Sequence, residues 1–317
     1  MNMYKTKTFL RTAASAALIF GISNMAAAQD ASQEALPFIR ISRDPVSAAM
    51  GFAGAASTGS TAYAAFGNPA VIPFGERTFE AGASWQRWAP DGAKSSNLAA
   101  GVSFKPAGGI FGFSLGAALQ KGEEYSLAGA DPASSFAPKD IVVNAGGAVR
   151  ITGRLAVGVN LRYARQDLAE DASYSSFGAD LMLLYRPSEN LRLAAGVVSV
   201  GEPVKGGNHR TYDLPSSTKV AAGYTYNINR NHALKAELDI DLFFSGKTAA
   251  ALGAQYSFKD MLFARAGYHL GGKDSVLPSF VTLGAGLKLH GVSLDLAFLT
   301  ANEIIGNTLT IGLGYSF

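Results

Sequence analysis

From about Thr78 onward the chain alternates apolar and non-apolar residues with period two, in blocks of about ten. Extended strands with two different faces produce that pattern, whereas a helical period would scatter the charges around every side. The stretch from Leu234 to Leu242 is the clearest case. Leu234, Ala236, Leu238, Ile240 and Leu242 share one face, and Lys235, Glu237, Asp239 and Asp241 share the other. Leu155 to Ala164 behaves alike, as does Val292 to Phe298, after which Leu299 interrupts the apolar–polar order. About fourteen such blocks begin near Thr78, Asn97, Gly109, Asp140, Leu155, Ser175, Leu191, Thr218, His232, Thr248, Leu262, Phe280, Val292 and Asn307. The blocks near Gly109 and Thr248 are the least distinct, because Ala and Gly blur their faces. An even number of ten-residue alternating segments is the signature of a bacterial transmembrane barrel.

A soluble sandwich would show similar strands, so the connections must decide. They alternate long and short, as a barrel's external loops and periplasmic turns do. Ala89–Ser96, Lys121–Lys139, Asp167–Tyr174, Gly201–Ser216, Gly271–Ser279 and Thr300–Gly306 are the longer ones. Pro106–Gly108, Thr152–Arg154, Pro187–Asn190, Ile228–Asn231, Lys259–Asp260 and His290–Gly291 are short, and Ser245–Lys247 is the exception, external yet brief. All twelve prolines precede Thr78 or fall in connections, so none removes a ladder hydrogen bond. The final residues Leu309, Ile311, Leu313, Tyr315 and Phe317 share one face and end on an aromatic, like the assembly signal of outer-membrane barrels. Trp85, Tyr163, Tyr185, Tyr224, Tyr226, Tyr256 and Tyr268 suit aromatic girdles. The fold expected is all-β: a transmembrane antiparallel β-barrel of about fourteen strands with an N-terminal segment plugging its lumen.

Composition agrees and narrows the chemistry. Charged residues are 16% and hydrophobic residues 48% of the 317, where a soluble domain carries about 25% charge. The absence of cysteine excludes disulfides, thiolate metal sites, a cysteine nucleophile and a lipoprotein anchor. Residues 1–28 read as a secretory signal, with Lys5, Lys7 and Arg11 before an apolar run from Ala13 to Ile22 and a cleavage site near Ala28. Removing those three cations leaves 24 basic residues against 24 acidic ones. No excess of basic charge then remains for nucleic acid. The expected location is the outer membrane, with residues 29–77 as the plug segment and 78–317 as the barrel.

Residues 29–77 do not alternate well. Leu36–Ile41 is a short amphipathic stretch, Arg43–Pro45 a turn, and Pro45 opens a short helix through Val46, Ala49 and Met50. A small-residue tract follows from Gly51 to Gly67, and then Asn68, Pro69 and Ala70. The stretch Phe38–Phe74 resembles the start of the PorV/PorQ family, within the wider FadL-like group of outer-membrane barrels. The matching pieces are Ile41–Asp44, then Ser47, Met50 and Gly51, then Asn68, Pro69 and Ala70. The resemblance implies a lumenal N-terminal segment and, for the best-known members, a protein partner in type IX secretion, either a secretion component or exported cargo. FadL relatives instead pass hydrophobic molecules across the outer membrane. The chain is shorter than PorV, with modest external loops.

No catalytic constellation stands out, no metal-ligand spacing is visible, and no cofactor is expected. The four histidines, His209, His232, His269 and His290, are scattered. A hydrolase built on His269 and a nearby serine is the one enzymatic reading, and a hydrogen-bonded histidine is the simpler one. The polar faces predict inward charges at Arg162, Asp180, Arg192, Lys235, Glu237, Asp239, Asp241, Arg265 and Asp295, with Glu80, Arg150, Lys219 and Lys288 beside them. Their mixed signs suit a paired network that fills the lumen and holds the plug, or a ligand path. General porins favour larger barrels of about 16–18 strands. Two functions stay open: a non-enzymatic, protein-binding component of a secretion apparatus, which the resemblance favours, and a transporter of hydrophobic ligands, which a wall opening near Gly109 or Gly112 would favour. Besides outer-membrane lipid, the loops Lys121–Lys139 and Gly201–Ser216 are the expected places for a protein partner.

Overall fold

A computed structural model describes residues 34–88, 95–126, 135–206, 210–271, 277–300 and 307–317. The expected signal segment, and parts of the longer loops, lie outside these residues. Fourteen antiparallel strands close into one barrel. In chain order they are β1 (Phe79–Trp88), β2 (Ser95–Phe104), β3 (Phe111–Lys121), β4 (Lys139–Arg150), β5 (Leu155–Ala169), β6 (Ala172–Tyr185) and β7 (Leu191–Gly201). They continue as β8 (Ser217–Asn229), β9 (His232–Phe243), β10 (Thr248–Phe258), β11 (Leu262–Leu270), β12 (Phe280–Leu289), β13 (Val292–Thr300) and β14 (Thr308–Ser316). Each strand pairs with its chain neighbours, and β14 pairs with β1 from Glu80↔Ser316 to Arg87↔Leu309. Closure leaves no open edge, which is what lets a sheet stand in hydrocarbon.

The strands are built inside out relative to a soluble core. In β9, Glu237 and Asp239 are buried while Leu234 and Leu238 are exposed. In β5, Asn160 and Arg162 are buried while Val159 and Leu161 are exposed. Period-two alternation places the apolar residues outward, as an apolar band needs. Leu309, Leu313, Tyr315 and Phe317 lie on this outer face. Leu299 does not interrupt the alternation of faces. It points inward and is fully buried with Phe280, Leu277 and Trp88, because the lumen near that rim is apolar.

Two of the short turns are built on paired left-handed residues. Lys259 and Asp260 both have φ 53°, and His290 and Gly291 have φ 50° and 84°. Two consecutive positive-φ residues match the twist of a two-residue hairpin. The wall is continuous at Gly112, which pairs with Ala148. There is no gap at that glycine. Ile72 and Pro73 lean on it, since an added Cβ would meet the Ile72 side chain at 2.7 Å. The ladder is irregular elsewhere, between Ala179 and Leu181, opposite a bulge that holds Ser199 at φ 58°.

Residues 34–77 run through the barrel. At the long-loop rim the Ala35 N–H donates to the Asp213 carbonyl at 2.8 Å, and the Ser245 hydroxyl to Glu34 at 2.6 Å. At the short-turn rim Lys105 Nζ donates to the Gly75 carbonyl. Between them lie a 3-10 turn, Pro37–Arg40, the helix α1, Pro45–Ala49, and two further 3-10 turns, Ala64–Phe66 and Pro69–Phe74. Asp44 caps α1, accepting the Val46 and Ser47 N–H groups at 3.0 and 3.2 Å, and Pro45 fits the first turn because its missing N–H would have no partner there. Asn68 caps the last turn by accepting the Ala70 N–H at 2.9 Å.

The wall admits this segment because its inward positions are small. At Gly267 an added Cβ would stand 2.2 Å from the Gly51 nitrogen, and at Gly158 it would stand 2.4 Å from the Ala70 nitrogen. Backbone lies directly on backbone at both places, which only glycine permits. Met50 against Gly267 and Ile72 against Gly112 are buried in such seats, each contributing roughly 1.5–3 kcal/mol.

Candidate functional site

The barrel's interior is the site, and its wall charges form local networks. Arg162 on β5 donates to Asp180 on β6 at 2.9 Å, to the Ser199 hydroxyl at 2.7 Å and to Asn144 at 3.2 Å. Asp180 also accepts the Ser199 N–H at 2.6 Å and Asn160 at 2.9 Å, so it fixes the bulge. Three strands further round the wall, Lys219 on β8 pairs with Asp241 on β9 at 2.7 Å and stands 3.9 Å from Asp239. Nearer the short-turn rim Glu237 lies between Lys235 at 2.9 Å and Arg192 at 3.5 Å. Arg265 pairs with Asp295 at 2.7 Å and donates to Gln255 at 2.7 Å. Buried charges need such partners, because desolvation is otherwise very costly.

Several of these groups hold the internal segment directly. Asp239 accepts the Gly54 and Ala55 N–H groups at 3.2 and 3.1 Å. Arg192 donates to the Ala56 carbonyl at 3.1 Å, and Lys235 to the Ser57 hydroxyl. The Thr61 N–H donates to Glu80 at 3.0 Å. The Thr282 hydroxyl accepts from Gly51 N–H and donates to the Ala49 carbonyl, both at 2.9 Å. Among the sequence-predicted segment residues, Met50, Asn68, Pro69 and Ala70 are buried, Gly51 lies against Tyr268, and Ile41, Asp44 and Ser47 face cavities.

Among the described residues the lumen holds a cavity of about 210 Å³ and another of about 480 Å³. The larger lies toward the short turns, beside Arg186, Glu189, Lys235, Arg265 and Lys288. The smaller is lined by apolar Ile41, Phe52, Phe66 and Leu277 together with Arg43, Asp180, Lys219, Asp239 and His269. Asp44, Ser57, Ser60 and Tyr63 line both, so residues of the segment form the partition between them. Burial raises the Asp44 carboxyl to about 6. His269 stacks on Phe280 at 4.8 Å, and its Nδ1 lies 3.3 Å from the Gly51 carbonyl oxygen. Among the described residues, no cluster of three or more His, Asp or Glu is arranged to hold a metal ion.

Arg43 was not among the expected site residues, because it reads locally as part of a turn. Val204 and Leu214 in the connection 201–216 were also unexpected. They turn inward and are buried with Leu36 and Phe38 over the lumen. The Leu-Pro pair at Leu214 and Pro215, apolar in a polar loop, is the one local sign of this.

A closed fourteen-strand barrel threaded by its own N-terminal segment defines an outer-membrane-type β-barrel fold. The chain shares that fold with the toluene transporter TbuX of Ralstonia pickettii (TM-score 0.60, 14% identity, 86% of this chain and 98% of that one). It is similar in the same way to the toluene transporter TodX of Pseudomonas putida (TM-score 0.59, 15% identity, 85% and 96%). A FadL homologue of Pseudomonas aeruginosa superposes at TM-score 0.55, 12% identity, 86% and 98%. No protein-family model and no curated protein matches the chain.

Proposed function

We propose that the protein is a FadL-like outer-membrane channel that passes small, largely apolar molecules, and that it is not an enzyme. The observation carrying this reading is the pair of neighbouring cavities, whose linings share Asp44, Ser57, Ser60 and Tyr63 of the internal segment. A channel needs space on both sides of a movable partition, whereas a structural plug needs none. The shared fold with hydrocarbon transporters supports the reading. In this reading residues 1–28 are an export signal cleaved near Ala28, residues 29–77 are the gate and residues 78–317 are the barrel. The short turns then face the periplasm. The Ile41–Ala70 motif residues seat the gate, and Arg162, Asp180, Arg192, Lys235, Glu237, Asp239, Asp241, Arg265 and Asp295 hold it.

The protein-binding role in secretion rests on the Phe38–Phe74 resemblance to PorV/PorQ alone, and no family or curated match adds to it. The burial of Val204 and Leu214 over the lumen also removes two apolar residues from any docking face on that loop. The test is uptake of radiolabelled toluene by cells carrying the protein, against cells carrying an empty vector. Faster uptake with the protein is expected. Equal uptake, with stoichiometric recovery of an exported protein on the tagged barrel, would reverse the assignment.

A further inference from the structure

The cations of the wall divide by height. Those facing the lumen are paired, as Arg162, Lys219, Lys235 and Arg265 show. Those at the short-turn rim are not. Lys105, Arg154, Arg186, Arg230 and Lys259 stand one in each of five short connections between strands, and Lys288 lies two residues before the sixth. None of these has a carboxylate within 4 Å among the described residues. Arg77 and Arg150 add two more unpaired cations at the same rim, where Glu76, Glu189 and Asp260 are the exposed carboxylates. Eight cations thus stand beside three carboxylates. The long connections carry the opposite balance, seven Lys or Arg against eleven Asp or Glu.

Apolar side chains accompany this ring of charge. Ile110, Ile151 and Met261 share three of those connections, and Ile228 and Leu289 flank two more, all at least 39% exposed. Outward-facing Phe111, Leu262 and Val292 continue the apolar wall from the same turns. A cation beside an exposed apolar side chain, at the edge of an apolar band, sits where a lipid phosphate meets its acyl chains. Neighbouring short turns are two strand spacings apart, about 10–13 Å along the rim once strand tilt is included. The Debye length is about 8–10 Å at ordinary ionic strength, so neighbouring cations act together. They run round the whole rim, which suits many small headgroups better than one partner docked on an arc.

We infer that the short-turn rim is a binding ring for the phosphate headgroups of anionic phospholipids, with the cations on the phosphates and the neighbouring apolar side chains among the first acyl carbons. The ring prefers net-negative headgroups, of the phosphatidylglycerol kind, over zwitterionic ones. The inference goes beyond the barrel's place in a membrane by giving one rim a lipid preference. It needs the barrel to stand in a bilayer and does not depend on what the channel carries, so a failure of transport leaves it untouched.

The test uses the full chain refolded into phosphatidylcholine vesicles containing about one-fifth phosphatidylglycerol. Spin-labelled copies of the two lipids are compared by the fraction held at the protein, read by electron spin resonance. A cation at the bilayer surface favours an anionic lipid about fivefold, and the other rim dilutes this, so wild type is expected to hold phosphatidylglycerol at least about twofold over phosphatidylcholine. In about 1 M salt, where the Debye length is about 3 Å, the preference is expected to vanish. Arg154→Gln, Arg230→Gln and Lys259→Gln made together are expected to remove at least about half of it. Lys121→Gln, Lys139→Gln and Lys247→Gln, exposed at the long-loop rim, are the matched control and are expected to change nothing. Heat-modified gel migration verifies folding, and if the short-turn variant does not fold, the wild-type preference and its loss in salt decide. Equal holding of the two lipids by wild type overturns the ring, as does a preference that survives the short-turn changes or falls equally with both sets. An acidic soluble protein recovered through those same three cations, with no lipid preference, assigns the rim to a protein and overturns it too.

Discussion

Replacing Gly267 with alanine is expected to unseat the internal segment and raise the barrel's conductance. Gly267 faces the lumen on β11, where an added Cβ would stand 2.2 Å from both the Gly51 nitrogen and the Met50 carbonyl carbon. Ordinary contact begins near 3.4 Å, so the segment or the wall must retreat by about 1.2 Å. Neither atom belongs to a side chain that can rotate away. Overpacking of this kind costs about 1–3 kcal/mol. The retreat also disturbs the two hydrogen bonds of the Thr282 hydroxyl, to Gly51 and Ala49, each worth about 1 kcal/mol net. The combined loss is about 2–5 kcal/mol. With tenfold per 1.4 kcal/mol, the unseated population grows by at least about thirtyfold. Planar-bilayer recordings of wild type and variant would read this as a higher open probability. Gly147→Ala is the control, since nothing lies within 4 Å of that position. If Gly267→Ala matches wild type in both conductance and melting temperature, the segment is not seated as described and the argument fails.

Three further outcomes follow from the same geometry. Leu161→Arg, at an exposed position near the middle of β5, is expected to destabilise the barrel by about 2–4 kcal/mol in lipid, measured by refolding into vesicles from denaturant. Asp239→Ala strips the acceptor from two segment N–H groups and is expected to cost about 1–3 kcal/mol for each one left unpaired. Faster proteolysis of residues 51–60 in detergent would register the loss. Burial raises the Asp44 pKa from 3.8 to about 6, so between those values the folded state holds more protons than the unfolded one. Stability is therefore expected to fall as pH rises from about 4 to 6 and to level off on either side, by up to about 3 kcal/mol. Asp44→Asn, which still caps α1, is expected to flatten that slope, and denaturant titrations across the window would detect a slope that persists.

The barrel was legible because period-two alternation reports a strand's two faces directly, and the turns mark where each strand stops. Predicted block starts at Leu155, Leu191, His232, Thr248, Leu262, Phe280 and Val292 coincide with observed strand starts. The same parity puts Glu237 and Asp239 on one side in any strand. Parity is silent about height along the barrel, and Leu299 illustrates this. It looked like a lapse in the pattern because an inward residue was expected to be polar, yet the lumen at that rim is lined by Phe280 and Leu277. Gly112 looked like a weak point in the wall because the segment that fills its space comes from forty residues earlier. Arg43 was invisible for a further reason. Its distinction is the lack of a carboxylate partner among the described residues, and ion pairs are fixed only when strands far apart in the chain come together.

The internal segment touches the wall on both sides of the closing seam. The Ser84 hydroxyl on β1 donates to the Arg43 carbonyl at 2.8 Å, and Pro45 lies on Gly312 of β14. It also rests on Gly101 of β2, Gly158 of β5 and Gly284 of β12. The segment thus works as an inner cord across the seam, tying the first strand and the last to one piece of backbone that neither strand contains. A change that frees the cord also removes a tie between the two ends of the wall.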